Sequence, residues 1–148
     1  MLVQYFFEVD LPLEEVESRV AARHDDLGVW AEAAYHRGEE TGLAVGLAPG
    51  PLSKRVELEI GEPIRATNSV TVPMTWKAVG STRLFPTMEA ELVLSPMGPN
   101  STHVRFQGRY QPPLAPIGKI LDRAALHRVA EITVRNLMER LAEALRTG

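Results

Sequence analysis

The sequence predicts an α+β fold in which a curved antiparallel sheet of six or seven strands packs against a long C-terminal helix. Between residues 56 and 110, apolar and charged residues alternate with a period of two, which is typical of strands with one dry face and one solvated face. The tail from about Ile117 to Leu145 instead carries apolar residues every three or four positions, as an amphipathic helix does. Because the dry face needs an apolar cover, we expect this helix to lie on it.

The N-terminal part predicts one strand followed by two short helices. Leu2–Val9 alternates as a strand, and Asp10-Leu11-Pro12 then marks a helix start, because proline fits the first helical turn. A second helix is expected to begin near Asp25 and to end at Gly38. A glycine-rich strand is predicted over Thr41–Leu47.

Short turns separate the later strands, at Gly61–Pro63, Gly80–Thr82 and Ser95–Asn100, and Gln111–Pro113 ends the last one. Connections this short force neighbouring strands to run antiparallel. The residues predicted to share the dry face are Val56, Leu58, Ile60, Val70, Val72, Met74, Trp76, Ala78, Met88, Ala90, Leu92, Leu94, Val104, Phe106, Gly108 and Tyr110.

Length and composition indicate a single domain over residues 1–148. The formal net charge is -3 and the basic residues are interleaved with acids, so no nucleic-acid partner is predicted. The absence of cysteine excludes disulfide and thiol chemistry. No apolar run approaches the ~20 residues that span a bilayer, and no signal-peptide pattern precedes the first strand. These features predict a cytoplasmic location.

The terminal helix shows a break in its apolar stripe. One face from Leu126 onward is apolar, whereas Ile117, Ile120, Leu121 and Ala124 lie about half a turn around. We therefore expect residues 114–125 to pack separately, either as a gate at a pocket mouth or as a homodimer contact.

No catalytic or metal-binding motif stands out. The four histidines lack metal-ligand spacing, and no cofactor is predicted. A polar turn is the favoured interpretation of His24-Asp25-Asp26. The set His103, Arg105, Arg109, Glu89 and Glu91 is interpreted as a solvated charge ladder between two strands rather than as a general-base cluster.

The dry face mixes bulky residues with Ala90 and Gly108, which favours a cavity for an apolar ligand. Trp76, Tyr110 and Tyr5 offer hydrogen-bond donors that either orient such a ligand or simply fill a core. The predicted ligand-binding residues are Leu58, Val72, Met74, Trp76, Met88, Ala90, Leu92, Phe106, Gly108, Tyr110, Leu126, Ala130 and Thr133.

The order strand, two helices, antiparallel meander and long C-terminal helix resembles the helix-grip layout of the START-like superfamily. This superfamily, also called SRPBCC, includes polyketide cyclase/dehydrase-like proteins and relatives of the birch-pollen allergen. The segments Pro112–Arg123 and Asp10–Val16 look similar to bacterial members. The resemblance implies a sheet curled around the last helix, with an apolar cavity between them. It transfers no catalytic residue.

Three functions are compatible with the sequence. The favoured one is non-catalytic binding or carriage of an apolar molecule such as a lipid, polyketide or quinone. The first alternative is a polyketide cyclase or dehydratase, for which Asp122, Arg123, His127 and His36 are the nearest acid or base candidates. The second alternative is a protein-interaction module that docks through the displaced stripe at residues 117–124.

Overall fold

Six antiparallel strands form one curved sheet in the computed structural model, which describes residues 1–42, 55–79, 87–110 and 123–147. The strands are β1 (Leu2–Val9), β2 (Arg55–Ile60), β3 (Ile64–Ala66), β4 (Ser69–Val79), β5 (Met88–Pro96) and β6 (Thr102–Tyr110). The strand order is β1-β6-β5-β4-β2, and β3 pairs with β4. The helices are α1 (Leu13–Ala22), α2 (His24–Gly42) and α3 (Arg123–Thr147). The predicted α+β fold is confirmed.

The dry face of the sheet follows the predicted alternation. On β4, Val70, Val72, Met74 and Trp76 are all buried, and the same period continues along β5 and β6. Phe6 on β1 lies on the opposite, solvated face, where it is 68% exposed and stacks on His103 with a centroid separation of 5.6 Å. Because successive side chains of a strand point to opposite faces, the local pattern was enough to assign these faces.

The strand register brings only part of the predicted charge ladder on the solvated face into opposition. Glu89 lies opposite Arg109, as expected, but Glu91 lies opposite Gln107. His103 lies opposite Ser95 on the same strand pair. The register of β5 against β6, which the sequence does not specify, decides these pairs.

The terminal helix is not the sole cover of the dry face. α2 packs against α3 and β2, α1 contacts β5, and α3 packs against α2 and β1. α2 continues through Gly38 to Gly42, so the helix end predicted at Gly38 is wrong, and Thr41 is helical rather than in a strand. A glycine within a helix costs about 1 kcal/mol, and here the packing of α2 against its neighbours outweighs that cost. Residues 43–47 of the predicted strand lie outside the described residues.

The apolar stripe of α3 is confirmed. Its buried residues include Val129, Ala130, Val134, Leu137, Leu141 and Leu145. Arg128, Glu131, Arg135 and Glu139 are exposed on the other side. The predicted separate segment at 114–125 falls largely outside the described residues, so the gate, homodimer and interaction-module hypotheses stay predictions. Over the described ranges, no helix is both long enough and apolar enough to cross a membrane.

Candidate functional site

A row of four predicted ligand residues crosses the dry face at one end of the sheet. Leu58 pairs with Trp76, Trp76 with Met88, and Met88 with Tyr110. Trp76, Met88 and Tyr110 are each no more than 2% exposed, and Leu58 is half-buried. We call the part of the dry face at Trp76, Met88 and Tyr110 the donor end, because two of these side chains carry hydrogen-bond donors.

The indole N–H of Trp76 is a buried donor without a hydrogen-bond partner, and it is the one buried side-chain nitrogen or oxygen atom of this kind among the described residues. Other buried polar side chains are satisfied by backbone. The hydroxyl of Thr102 donates to the carbonyl oxygen of Leu11 over 2.8 Å, and that of Thr133 donates to the carbonyl oxygen of Val129 over 2.6 Å. Leaving a buried donor unsatisfied costs about 1–3 kcal/mol, so Trp76 is an exception that calls for an acceptor.

Tyr110, the second donor, lies at the start of a hydrogen-bonded chain that reaches solvent. Its Oη lies 2.7 Å from Nδ1 of His127, and Nε2 of His127 lies 2.6 Å from Oε1 of Glu131. The side chains of His127 and Glu131 are 29% and 59% exposed. Burial, together with the nearby Glu131 carboxylate, raises the pKa of Tyr110 from 10.0 to about 12. The phenol therefore keeps its proton at physiological pH.

The space expected above Gly108 is occupied. Gly108 pairs with Ala90, but a Cβ added at Gly108 would lie 2.6 Å from Sδ of Met88 and 3.1 Å from Cε1 of Phe106. The expectation of an open void at this point is wrong, because the unbranched side chain of Met88 bends into the gap that glycine leaves.

The remaining predicted ligand residues are distributed over the interior. Val72, Met74, Leu92, Phe106, Ala130 and Thr133 are buried, and Ala90 is half-buried. Of Leu126 only the backbone falls within the described part of the chain. Contact of these residues with a ligand stays a prediction.

A cavity of about 280 Å³ lies between the first two helices and the end of β2. Its lining includes the apolar residues Val20, Leu27, Ile60, Val72 and Leu94. Glu17, His24 and Glu62 also border it. Val72, one of the predicted ligand residues, borders this cavity and lies four positions before Trp76 on β4.

Sequence reasoning did not identify Glu131 as part of the candidate site. The available signal was its position four residues after His127, since side chains at that spacing meet on one side of a helix. Of the other acid or base candidates, His36 lies on α2, where its Nε2 is 3.8 Å from Oε1 of Glu32. Asp122 lies outside the described residues. Within the described ranges, no cluster of side chains could hold a metal ion.

The fold has counterparts among solved structures. No protein-family model matches the chain, and no curated protein matches it. Ara h 8.0201 is 8% identical and matches with a TM-score of 0.54 over 100% of both chains. A conserved protein from Geobacillus kaustophilus is 12% identical and matches with a TM-score of 0.53 over 98% of this chain and 95% of its own.

The Zhui aromatase/cyclase from a Streptomyces species is 13% identical and matches with a TM-score of 0.50 over 98% of this chain and 91% of its own. Identities this low speak for the fold alone. The chain has a START-like, helix-grip fold, as its resemblance to that superfamily implied.

Proposed function

We propose that the protein binds an apolar small molecule carrying a carbonyl-type oxygen, which accepts a hydrogen bond from Trp76 at the donor end. The observation that carries this proposal is the buried indole N–H without a partner. A ligand that supplies an acceptor would remove the free-energy cost of leaving this N–H unbonded, whereas a purely apolar ligand would not.

The surroundings of Trp76 fit the same ligand class. Met88 pairs with it across the strands and Met74 lies two positions before it on β4, and methionine adapts its shape to different apolar partners. Trp76 and Tyr110 lie on strands separated only by β5, so their backbones are roughly 10 Å apart, which is two strand spacings. Both donors can thus face one bound molecule, and a ring system that carries a carbonyl oxygen, as in a polyketide or quinone, suits the donor end better than a plain hydrocarbon chain does.

A cyclase or dehydratase is the second candidate function. The hydrogen-bonded chain from Tyr110 through His127 to Glu131 favours it, because such chemistry needs a positioned proton donor next to a carbonyl. The Streptomyces aromatase/cyclase with the same fold is consistent with this candidate. Mass spectrometry of a carbonyl compound recovered after incubation separates the two functions, since a binder returns it unchanged.

The proposal is tested with two probes of matched shape, 2-acetylnaphthalene and 2-isopropenylnaphthalene, which differ in a carbonyl oxygen against a methylene group. We expect the wild-type protein to prefer the acetyl probe by about 5- to 30-fold, equivalent to 1–2 kcal/mol for the hydrogen bond. In Trp76→Phe this preference should disappear. Titration calorimetry on both proteins measures it.

Trp30→Phe is the matched control, because Trp30 is half-buried beneath the guanidinium of Arg140 and takes no part in the donor end. It should keep the wild-type preference. Equal wild-type affinities for the two probes, a preference that survives in Trp76→Phe, or no binding of either probe would each count against the proposed function.

A further inference from the structure

In the hydrogen-bonded chain Tyr110–His127–Glu131, the protonation state of the histidine decides whether Tyr110 donates to it or accepts from it. Building on the proposed function, we propose that the hydroxyl of Tyr110 is a second contact for the ligand oxygen. The protonation state of His127 decides whether this hydroxyl points its hydrogen at the histidine or at the ligand. A carbonyl ligand therefore binds together with a proton taken up from solvent. His127 and Glu131 act as positioning residues in this proposal, and Tyr110 makes the contact.

When His127 is neutral, the hydroxyl of Tyr110 donates its hydrogen to the histidine. An ionised Glu131 carboxylate can only accept, so Nε2, 2.6 Å away, carries the ring hydrogen. Nδ1 then has a lone pair and accepts the O–H of Tyr110 over 2.7 Å. In this state Tyr110 turns its hydrogen towards the histidine, and a ligand carbonyl would meet the lone pairs of Oη.

Protonation reverses the bond to Tyr110. One proton from solvent adds to Nδ1, both ring nitrogens become donors, and Nδ1–H donates to Oη. The hydroxyl of Tyr110 keeps its own hydrogen, which turns away from the imidazole of His127 and can be donated to another acceptor. Sδ of Met1, 3.4 Å from the hydroxyl, is one acceptor within its reach. A carbonyl oxygen accepts a hydrogen bond more strongly than a thioether does, so a ligand carbonyl at this hydroxyl would favour the protonated histidine.

Charged groups of both signs surround His127. Glu131 is bonded to its ring, and Arg128 and Arg135 line the same groove on α3. The opposite wall comes from β1 and includes Gln4 and Tyr5. The backbone nitrogen of Met1 donates to the backbone carbonyl oxygen of Tyr110.

The phenol itself does not titrate in the relevant range, because burial raises the pKa of Tyr110 to about 12. A change in affinity between pH 5 and 8, where histidine ordinarily titrates, therefore reports the histidine and not the tyrosine.

The experiment measures the affinities of 2-acetylnaphthalene and 2-isopropenylnaphthalene by calorimetry from pH 5 to pH 8. For wild type, we expect the affinity for the acetyl probe to rise about tenfold from pH 8 to pH 5 and the affinity for the isopropenyl probe to stay constant. His127→Asn keeps an amide oxygen able to accept from Tyr110 but takes up no proton. It should hold the affinity for the acetyl probe at its value at pH 8 throughout.

Two further variants sharpen the result. Tyr110→Phe should also remove the pH dependence while retaining the preference that Trp76 provides. His103→Asn is the matched control, because His103 lies on the solvated face against Phe6, and it should keep the wild-type pH dependence. Circular dichroism of each variant verifies that it is folded.

The failure of this inference differs from the failure of the proposed function. A preference for the acetyl probe that requires Trp76 but does not vary with pH overturns only the role of Tyr110 and His127. A pH dependence that survives in His127→Asn, or that is equal for both probes, does the same. No binding of either probe at any pH overturns both.

Discussion

The two ends of the dry face bury their residues equally well but satisfy their polar groups differently. The aliphatic end, which we define as Val70, Leu94 and Val104, has no polar side chain, and these residues pair across β4, β5 and β6. Thr102 next to it has its hydroxyl bonded to the backbone. The donor end is just as buried, yet one of its donors has no partner and the other bonds a half-exposed histidine.

This difference shows that burial alone does not distinguish a filled core from a candidate pocket. All the residues compared are at most 3% exposed, so accessibility gives the same answer at both ends. The hydrogen-bond inventory separates them, because a folded core rarely leaves a buried donor unsatisfied. The donor end, where a buried N–H lacks a partner, is therefore the better candidate for a ligand site.

The largest expected effect contrasts truncation at the two ends. Leu94→Ala should lower the free energy of unfolding by about 2–5 kcal/mol, because it leaves a cavity in a fully buried aliphatic layer. Met88→Ala should cost less and should raise the affinity for 2-acetylnaphthalene, since it opens the space above Gly108. Urea denaturation and calorimetry measure the two quantities. Equal losses of stability with no gain in affinity would mean that the donor end is ordinary core.

Alkaline pH should weaken the donor end specifically. Tyr110 has a pKa of about 12 in the folded protein, against an ordinary value near 10, so the folded state holds the phenolic proton more tightly. Its contribution to stability is complete below pH 10 and is lost as pH rises towards 12. Urea denaturation between pH 9 and pH 12 should show a steeper loss for wild type than for Tyr110→Phe. Parallel curves would contradict the assigned burial of the phenol.

A smaller effect is expected away from the donor end, where Arg19 of α1 donates from Nη1 to the carbonyl oxygen of Leu145 in the last turn of α3 over 2.7 Å. A cation at this position satisfies a helix-end carbonyl and complements the helix dipole. Arg19→Met should lower the free energy of unfolding by about 1 kcal/mol without changing probe binding. Arg65→Met, which breaks an exposed ion pair with Glu17, serves as the control and should cost less. A change of probe affinity in Arg19→Met would show that this contact and the donor end are not independent.

The faces of the sheet and the stripe of α3 were predictable because they are local properties. Val72, Met74 and Phe106 are buried as the period of two requires, and Leu137 and Leu141 as the helical period requires. The end of α2 was not predictable, since its continuation past Gly38 depends on packing against α3 and β2.

The candidate site was predictable as a set of residues but not as an arrangement. Trp76 and Tyr110 were identified as inward donors from their strand positions alone. Their different bonding depends on the register of β4, β5 and β6 and on the placement of His127, which are long-range properties. The same holds for Met88, whose side chain crosses to a neighbouring strand to fill the gap at Gly108.

The most direct measurement of the central claim is the pair of tryptophan indole N–H resonances in a ¹H–¹⁵N NMR spectrum, recorded with and without each probe. The chain has two tryptophans, so Trp30 provides an internal reference. A hydrogen bond to the ligand carbonyl should move the Trp76 proton to higher frequency with 2-acetylnaphthalene, less so with 2-isopropenylnaphthalene, while Trp30 stays in place. A Trp76 resonance that responds equally to both probes, or to neither, would contradict the assignment of this donor to a ligand.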